Sequence, residues 1–156
     1  MLVRMLPLPF TANMAMADDF DDALANYENG DYATAFKLIK PLADQGYAEA
    51  QHNLGVMYQF AEGVIKINEE AARWFRLAAE QGFANAQTNL GNMYLSGEGV
   101  LQDDKKAYMW WNVARANDDD KADHNIKSII QRMTPADIAT AEDMARQCLA
   151  SNYRDC

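Results

Sequence analysis

Apolar residues recur along most of the chain at intervals of three and four positions, and short polar segments rich in glycine, asparagine and aspartate separate these stretches. This spacing places the apolar side chains on one face of an α-helix. From residue 18 to the C-terminus, the pattern predicts eight helices joined by short turns. We therefore predict an all-α fold, an α-solenoid of about four antiparallel helix pairs.

An internal repeat with a period of 36 residues supports this architecture. Residues 50–64 read AQHNLGVMYQFAEGV, and residues 86–100 read AQTNLGNMYLSGEGV. A shift of 36 aligns residues 48–82 with residues 84–118 and matches 14 of 35 positions without a gap. A fixed period of this length is typical of helical-repeat proteins, in which each unit packs on its neighbours.

The repeat divides the chain into segments. Its 156 residues are a common size for one domain, and we assign residues 18–156 to a single repeat domain. Within it we predict an N-terminal cap pair at 18–46, repeats at 47–82 and 83–118, and a C-terminal cap pair at 119–156. Asp31, Asn68, Asp104 and Thr134 are expected to cap helix N-termini, because their side chains accept hydrogen bonds from free backbone N–H groups.

The first 17 residues, MLVRMLPLPFTANMAMA, differ from the rest of the chain. They contain Arg4, a mostly apolar stretch and the small residues Ala15 and Ala17 at A-x-A spacing, an order typical of a cleaved secretory signal. Pro7 and Pro9 interrupt the apolar stretch, so the alternative is an amphipathic tail or a misplaced start codon. We predict a signal peptide at 1–17 and an exported protein, periplasmic or secreted.

The two cysteines, Cys148 and Cys156, lie eight residues apart at the C-terminus. In an oxidising compartment they are expected to form a disulfide that ties the tail to the preceding helix, whereas in the cytosol they would remain free thiols. Their spacing does not indicate a metal site or redox chemistry.

Charge and motif content exclude several functions. The chain has 14 Lys and Arg against 23 Asp and Glu, a net charge of −9, so we expect no nucleic-acid partner. No run approaches the roughly 18 apolar residues that a membrane-spanning helix needs, so we expect no membrane insertion. It contains no G-x-S-x-G motif and no glycine-rich phosphate loop. The acids at 118–120, with Asp123 and His124, could suggest a metal site, but acids are also favourable at a helix N-terminus. We expect no metal, no cofactor and no catalysis.

The repeated letters resemble a known family. A-x-A-Q-x-N-L-G-x-M-Y, then G-x-G-V, A-x-x-W and A-A-x-Q-G are similar to the Sel-like repeats (SLR), relatives of the tetratricopeptide repeat widespread in bacteria. The resemblance covers about residues 31–118. Ala61 stands where the pattern has the first glycine of G-x-G, and Asn117-Asp118 replaces Gln-Gly, so the turn geometry at these two places is in question.

Comparison of the two copies separates scaffold from candidate binding positions. On the first helix of each unit, the identical positions share one arc and are expected to pack against neighbouring helices. The resemblance implies that the other arc lines a concave surface; the alternative is ordinary solvated surface. The candidate partner-binding residues on that arc are His52, Val56, Gln59, Phe60, Thr88, Asn92, Leu95 and Ser96.

Adjacent aromatic residues, Trp110-Trp111, could suggest carbohydrate stacking. They share a register with Leu38-Ile39 and Trp74-Phe75, which favours core packing.

These observations lead to one main functional hypothesis and two alternatives. The first is a non-catalytic protein-protein interaction module that binds a peptide or protein partner on its concave surface, as a monomer or weak oligomer. The resemblance also allows a hydrolase acting on cell walls or β-lactams, although members linked to such activity carry a cysteine pair in each repeat. The third is a self-associating structural subunit, since repeat arrays can stack end to end.

Overall fold

A computed structural model of the protein describes residues 10–156. Within this range the chain is all-α, without β-strands, as the apolar spacing predicts. The eight helices in this part of the chain are α1 (Phe10–Glu28), α2 (Tyr32–Asp44), α3 (Ala48–Phe60), α4 (Asn68–Ala79), α5 (Ala84–Ser96), α6 (Asp104–Ala116), α7 (Lys121–Ile129) and α8 (Pro135–Ala150).

Each helix from α2 to α6 packs on the helices that precede and follow it in the chain, which gives the predicted solenoid. The C-terminal end differs, because α7 and α8 both pack mainly on α6. Buried apolar side chains form two clusters, one from α1 to α4 and one from α4 to α8. In α4, Trp74 belongs to the first cluster and Phe75 to the second, so this helix joins the two halves of the core.

Two glycines allow the helices of each repeat to approach closely. A Cβ on Gly55 would lie 2.7 Å from the Phe75 ring, and a Cβ on Gly91 would lie 2.6 Å from Trp111 Nε1. Both distances are too short for a real contact, so a larger residue would push α3 from α4 or α5 from α6. Trp110 and Trp111 are both buried, which confirms core packing for this pair.

The glutamine shared by the two repeats ties each first helix to the preceding turn. Gln51 Nε2 donates to Ala43 O at 3.1 Å, and Gln87 Nε2 donates to Ala79 O at 3.0 Å. Both glutamines are buried, and these bonds satisfy carbonyls at the C-terminal ends of α2 and α4. The repeated glutamine therefore has a structural role.

At the two positions where the sequence departs from the repeat pattern, Ala61 and Asp118 have backbone φ angles close to those of the corresponding glycines in the other repeat. Ala61 has φ 60°, as Gly97 has φ 71° at the same place in the next repeat. Asp118 has φ 66°, where Gly82 has φ 86°. Asn117 likewise donates to Gln87 Oε1 at 2.9 Å, as Gln81 donates to Gln51 Oε1 at 2.8 Å. The turn geometry is the same in both repeats. The left-handed conformation is unfavourable for Ala61, whereas aspartate, at Asp118, is one of the few other residue types that adopt it.

Two of the four expected N-caps are correct. Asp31 and Thr134 accept hydrogen bonds from the backbone N–H groups of Thr34 and Asp137. In α6 the cap is Asp103, which accepts from two backbone N–H groups, and Asp104 is already the first helical residue. Asn68 is also helical, and its buried Oδ1 has no hydrogen-bond partner among the described residues. The prediction of Asn68 and Asp104 as caps is wrong by one residue in each case.

The predicted signal peptide at 1–17 falls partly outside the described residues, which begin at residue 10. Residues 10–17 belong to α1, which continues through the predicted cleavage position to Glu28. From residue 15 onward, the first fully buried side chain is Phe20, followed by Ala23. Between residues 15 and 28, the buried side chains of α1 thus lie after position 17, and the cleavage itself stays a prediction.

At the other end of the chain, Cys148 and Cys156 form a disulfide with their Cα atoms 4.7 Å apart. The bond closes a tail that turns back on the stack after α8. In that tail, the Tyr153 hydroxyl donates to Asn117 Oδ1 at 2.9 Å, and its ring lies against Gly82. The tail therefore covers the turns that follow α4 and α6.

Replacement of Ala61 with glycine is expected to stabilise the protein. Ala61→Gly removes the cost of a left-handed non-glycine residue, and the greater freedom of glycine in the unfolded chain offsets part of the gain, which leaves about 0.5 to 1 kcal/mol. Urea unfolding followed by circular dichroism measures the change. The matched control is the reverse change in the next repeat, Gly97→Ala, which should lower the free energy of unfolding by about 0.5 to 1 kcal/mol. A destabilised Ala61→Gly would contradict this account of the turn.

Reduction of the disulfide is expected to lower the free energy of unfolding by about 2 to 3 kcal/mol, because the bond restricts a short loop in the unfolded chain. Thermal melts with and without reductant, on protein with a mapped N-terminus, measure the loss. Cys156→Ser should melt like the reduced protein and should not respond to reductant. Identical melts of the oxidised and reduced wild type would show that the bond does not support the fold.

Candidate functional site

One surface of the stack is formed by α3, α5 and α7, and we call it the first-helix face. Two cavities open on this face. The polar pocket has a volume of about 210 Å³, and the Trp111 pocket has a volume of about 140 Å³. His52, Val56, Asn85, Thr88, Asn89, Asp119 and Lys121 line the polar pocket, and Leu95, Trp111, His124, Asn125, Ser128, Ile129 and Arg132 line the Trp111 pocket.

The base of the polar pocket is a buried hydrogen-bonded pair. Thr88 Oγ1 donates to Asp119 Oδ2 at 2.6 Å, and Asp119 Oδ1 accepts the Lys121 backbone N–H at 3.0 Å. Thr88 and Asp119 are only 5% and 8% exposed. The expectation that Thr88 lies on an open arc is therefore wrong: the start of α7 covers it, and its hydroxyl fixes this loop against α5.

His52 forms one wall of the polar pocket and is neutral near pH 7. Its ring lies between Phe75 and Phe83, with ring centroids 5.7 and 5.2 Å away. Burial lowers the pKa of His52 from 6.5 to about 4, because the charged imidazolium would lose its hydration. The Nε2 atom lies 3.1 Å from Asn89 Nδ2, so the neutral ring accepts this hydrogen bond.

The Trp111 pocket lies between α5 and α7 and has a largely apolar base. Leu95 and Ile129 provide its walls, and the buried Trp111 provides its floor. Trp111 Nε1 donates to Thr88 O and to Asn92 Oδ1, both at 3.2 Å. Asn92 Oδ1 also accepts from Asn125 Nδ2 at 3.1 Å, so Asn92 connects α5, α6 and α7.

The eight predicted site residues therefore separate into two groups. His52, Val56, Thr88 and Leu95 line the two pockets, and the exposed Asn92 is bonded to the floor and wall of the Trp111 pocket. Gln59, Phe60 and Ser96 line neither pocket and lie at the C-terminal ends of α3 and α5. Phe60 is 64% exposed, while Ser96 bonds locally to Met93 O and the Glu98 N–H.

Several pocket residues were not predicted from the sequence. Asn85 differs from its counterpart Glu49, a signal that the comparison of the copies could have used. Asn89 is identical in both copies, at Asn53, and so was not singled out. Lys121, Asn125, Ser128, Ile129 and Arg132 lie beyond residue 118, where the repeated letters end and no second copy exists for comparison.

The acidic segment at the start of α7 has structural partners. Asp119 bonds to Thr88 and to the Lys121 N–H, and Asp123 lies 3.6 Å from Arg115. Within the part of the chain that the structure describes, no three His, Cys, Asp or Glu side chains are grouped so that they could hold a metal ion.

A third cavity lies away from the first-helix face, between α6 and α8. Its volume is about 370 Å³. It contains Arg115 and Arg146, whose side chains are 51% and 69% exposed. Both arginines already pair with nearby aspartates, Asp123 and Asp143.

The period, the paired helices and the turn glycines can be compared with known families. The family described as Sel1 repeat matches the chain twice, over residues 48–83 and 84–119. Residues 48–119 are two Sel1 repeats. Sel1-repeat folds are typically protein-interaction scaffolds and are generally not enzymes. No curated protein sequence matches the chain.

Two solved structures show the same Sel1-repeat architecture. A protective antigen present in uropathogenic Escherichia coli strains, which displays an SLR fold, is 27% identical with a TM-score of 0.82 and is matched over 88% of this chain. A Sel1 repeat protein from Oxalobacter formigenes is 32% identical with a TM-score of 0.64 and is matched over 67% of this chain. The chain spans 31% and 43% of the lengths of these two proteins.

None of the helices in residues 10–156 is both long enough and apolar enough to cross a membrane.

The buried His52 is expected to make stability depend on pH. In the unfolded chain its imidazole binds a proton near pH 6.5, whereas in the folded protein it does so only near pH 4. The unfolded state binds more protons between these values, so the free energy of unfolding should fall as pH decreases from 6.5 to 4, by up to about 1.4 kcal/mol per pH unit from this group.

Urea unfolding at several pH values tests this dependence. His52→Gln should flatten the slope between pH 6.5 and 4. The matched control, His124→Gln, replaces an exposed histidine and should leave the slope in place. An equal slope in wild type and His52→Gln would mean that His52 is not the source of the pH dependence.

Proposed function

We propose that the protein is a non-catalytic interaction module whose first-helix face binds an extended segment of a partner protein. The observation that carries this proposal is the row of amide side chains along the two pockets. Asn85, Asn89 and Asn92 lie at i, i+4 and i+7 on α5, and Asn125 faces them from α7.

Amide side chains suit a backbone ligand because each has two N–H donors and one carbonyl acceptor, the same group types that an extended peptide presents. Asn85 is exposed, and Asn89 is half-buried with its Nδ2 bonded to His52. Their remaining donors and acceptors are available to a peptide lying across α5. The neutral His52 keeps Asn89 in place without adding a charge to the pocket.

The typical use of Sel1 repeats as protein-interaction scaffolds agrees with this proposal. The concave shape that the resemblance implies for the first-helix face would let one segment contact α3, α5 and α7 together. Partner binding would then use side chains from three units, while the repeated Gly55, Gly91, Gln51 and Gln87 maintain the scaffold between them.

We also propose that the protein acts outside the cytoplasm. Two observations support export: the signal-like order of residues 1–17 and the disulfide at the C-terminus. Disulfides persist mainly in oxidising compartments. Mass spectrometry of the mature protein from its native host should give an N-terminus at Asp18 and an intact disulfide; an unprocessed N-terminus would contradict export by this route.

A random 12-residue peptide library displayed on phage tests the binding surface. Selection against the full chain is expected to enrich a peptide that binds wild type and loses at least tenfold in affinity with Asn85→Trp, because the indole would obstruct the polar pocket. The matched control, Gln147→Trp, places the same bulk on the exposed surface of α8 and should leave the Kd unchanged.

Circular dichroism of both variants verifies folding before affinities are compared. The proposal fails if no peptide is enriched, or if Asn85→Trp and Gln147→Trp bind the enriched peptides as tightly as wild type.

A further inference from the structure

The Trp111 pocket has features that would select the sequence of a bound segment. Its volume of about 140 Å³ is close to that of an apolar protein cavity of about 150 Å³ that holds a benzene molecule. Such a space matches one phenylalanine ring or one leucine side chain. The pocket lies beside Asn92, within the amide row that is proposed to bind the backbone.

The floor of the pocket can receive an apolar group without leaving a polar atom unpaired. The only polar atom of the Trp111 side chain is its indole N–H, which is already bonded to Thr88 O and Asn92 Oδ1. Leu95 and Ile129 complete this apolar base, and the other four lining residues, His124, Asn125, Ser128 and Arg132, form a polar rim around it. Burial of a phenylalanine or leucine side chain there would remove its own apolar surface and that of the half-buried Leu95 from water, which favours binding.

The rim of the pocket adds a charge preference. Arg132 is 53% exposed and uses one terminal nitrogen to bind Asp104 Oδ1 at 2.5 Å, so other guanidinium donors remain. Lys121, at the neighbouring polar pocket, forms no ion pair with the described residues. Lys121 shares its pocket with Asp119, so Arg132 is the cation at the rim of the Trp111 pocket that an acidic residue of the bound segment would face.

We infer that the Trp111 pocket receives one phenylalanine- or leucine-sized side chain of the bound segment, with an acidic residue beside it that faces Arg132. This inference rests on the proposed function, because it assigns a sequence preference to the same surface. The partner is thus identified chemically as a protein segment that contains an acidic residue next to a large apolar residue.

The first test uses short probes that occupy only this pocket. N-acetyl-Asp-Phe-amide, N-acetyl-Asp-Ala-amide and N-acetyl-Lys-Phe-amide are titrated into the ¹⁵N-labelled full chain and followed by two-dimensional NMR. The Asp-Phe probe is expected to shift the amide signals of Asn125 and Ser128 and the indole signal of Trp111. Both other probes should bind at least fivefold more weakly.

Two variants provide a steric test. Ser128→Trp places an indole at the mouth of the pocket from an exposed position and should abolish the shifts caused by the Asp-Phe probe. The matched control, Lys127→Trp, changes the adjacent exposed residue, which does not line the pocket. The Asp-Phe probe should cause the same shifts in this variant as in wild type. Circular dichroism melts of both variants verify the fold. Equal binding of the Asp-Phe and Asp-Ala probes, or unchanged binding by Ser128→Trp, would overturn the inference, as would shifts confined to the cavity between α6 and α8.

The peptides selected by phage display separate this inference from the proposed function. If Asn85→Trp loses their binding and Ser128→Trp does not, the first-helix face binds peptides but the Trp111 pocket does not receive a side chain. If both variants bind them as wild type does, the proposed binding surface itself is wrong. Loss of binding in both variants supports the inference and the proposed function together.

Discussion

The close contact between an aromatic ring and a helical glycine sets the geometry of both repeats. Phe75 fills the space that Gly55 leaves open, and Trp111 fills the space at Gly91. Because protein interiors are tightly packed, these contacts fix the separation of the two helices in each repeat. Trp111 has a second role, since the same indole forms the floor of a pocket on the first-helix face. The Trp111 side chain therefore belongs both to the scaffold and to the candidate site.

A second set of interactions positions the first-helix face. Buried polar side chains require hydrogen-bond partners, and Gln87 and Thr88 have theirs on neighbouring units. Gln87 bonds to Ala79 O, Thr88 bonds to Asp119, and Asn92 bonds to Trp111 and Asn125. Two of these bonds, from Thr88 to Asp119 and from Asn125 to Asn92, link α5 to the α7 region, although α7 lies beyond the repeated letters. Both pockets are lined by α5 and by residues of the C-terminal end, and the polar pocket also by α3.

Part of the candidate site could be predicted from the sequence. The differences between the two copies identified His52, Val56, Asn92 and Leu95, which line the pockets or support them. The same differences did not show that Thr88 is buried, because the residue that packs over it, Asp119, lies 31 positions later in the chain. Phe60 and Ser96 were selected for the same reason but lie at helix ends. A comparison of the two copies shows which residues differ between them. Whether such a residue is buried depends on the residues of the next unit that pack over it.

The sequence by itself determined the helices, the period of 36 residues and the residues that hold the turns, because these depend on interactions between residues close in the chain. Ala61 is an exception, since it keeps a left-handed turn without glycine and against its local preference. Only the tertiary structure decided which side chains line the same pocket and which positively charged residues lie at its rim. Arg132 and Lys121 come from the end of the chain where no repeat remains, and their positions depend on how α7 packs against α6 and is hydrogen-bonded to α5.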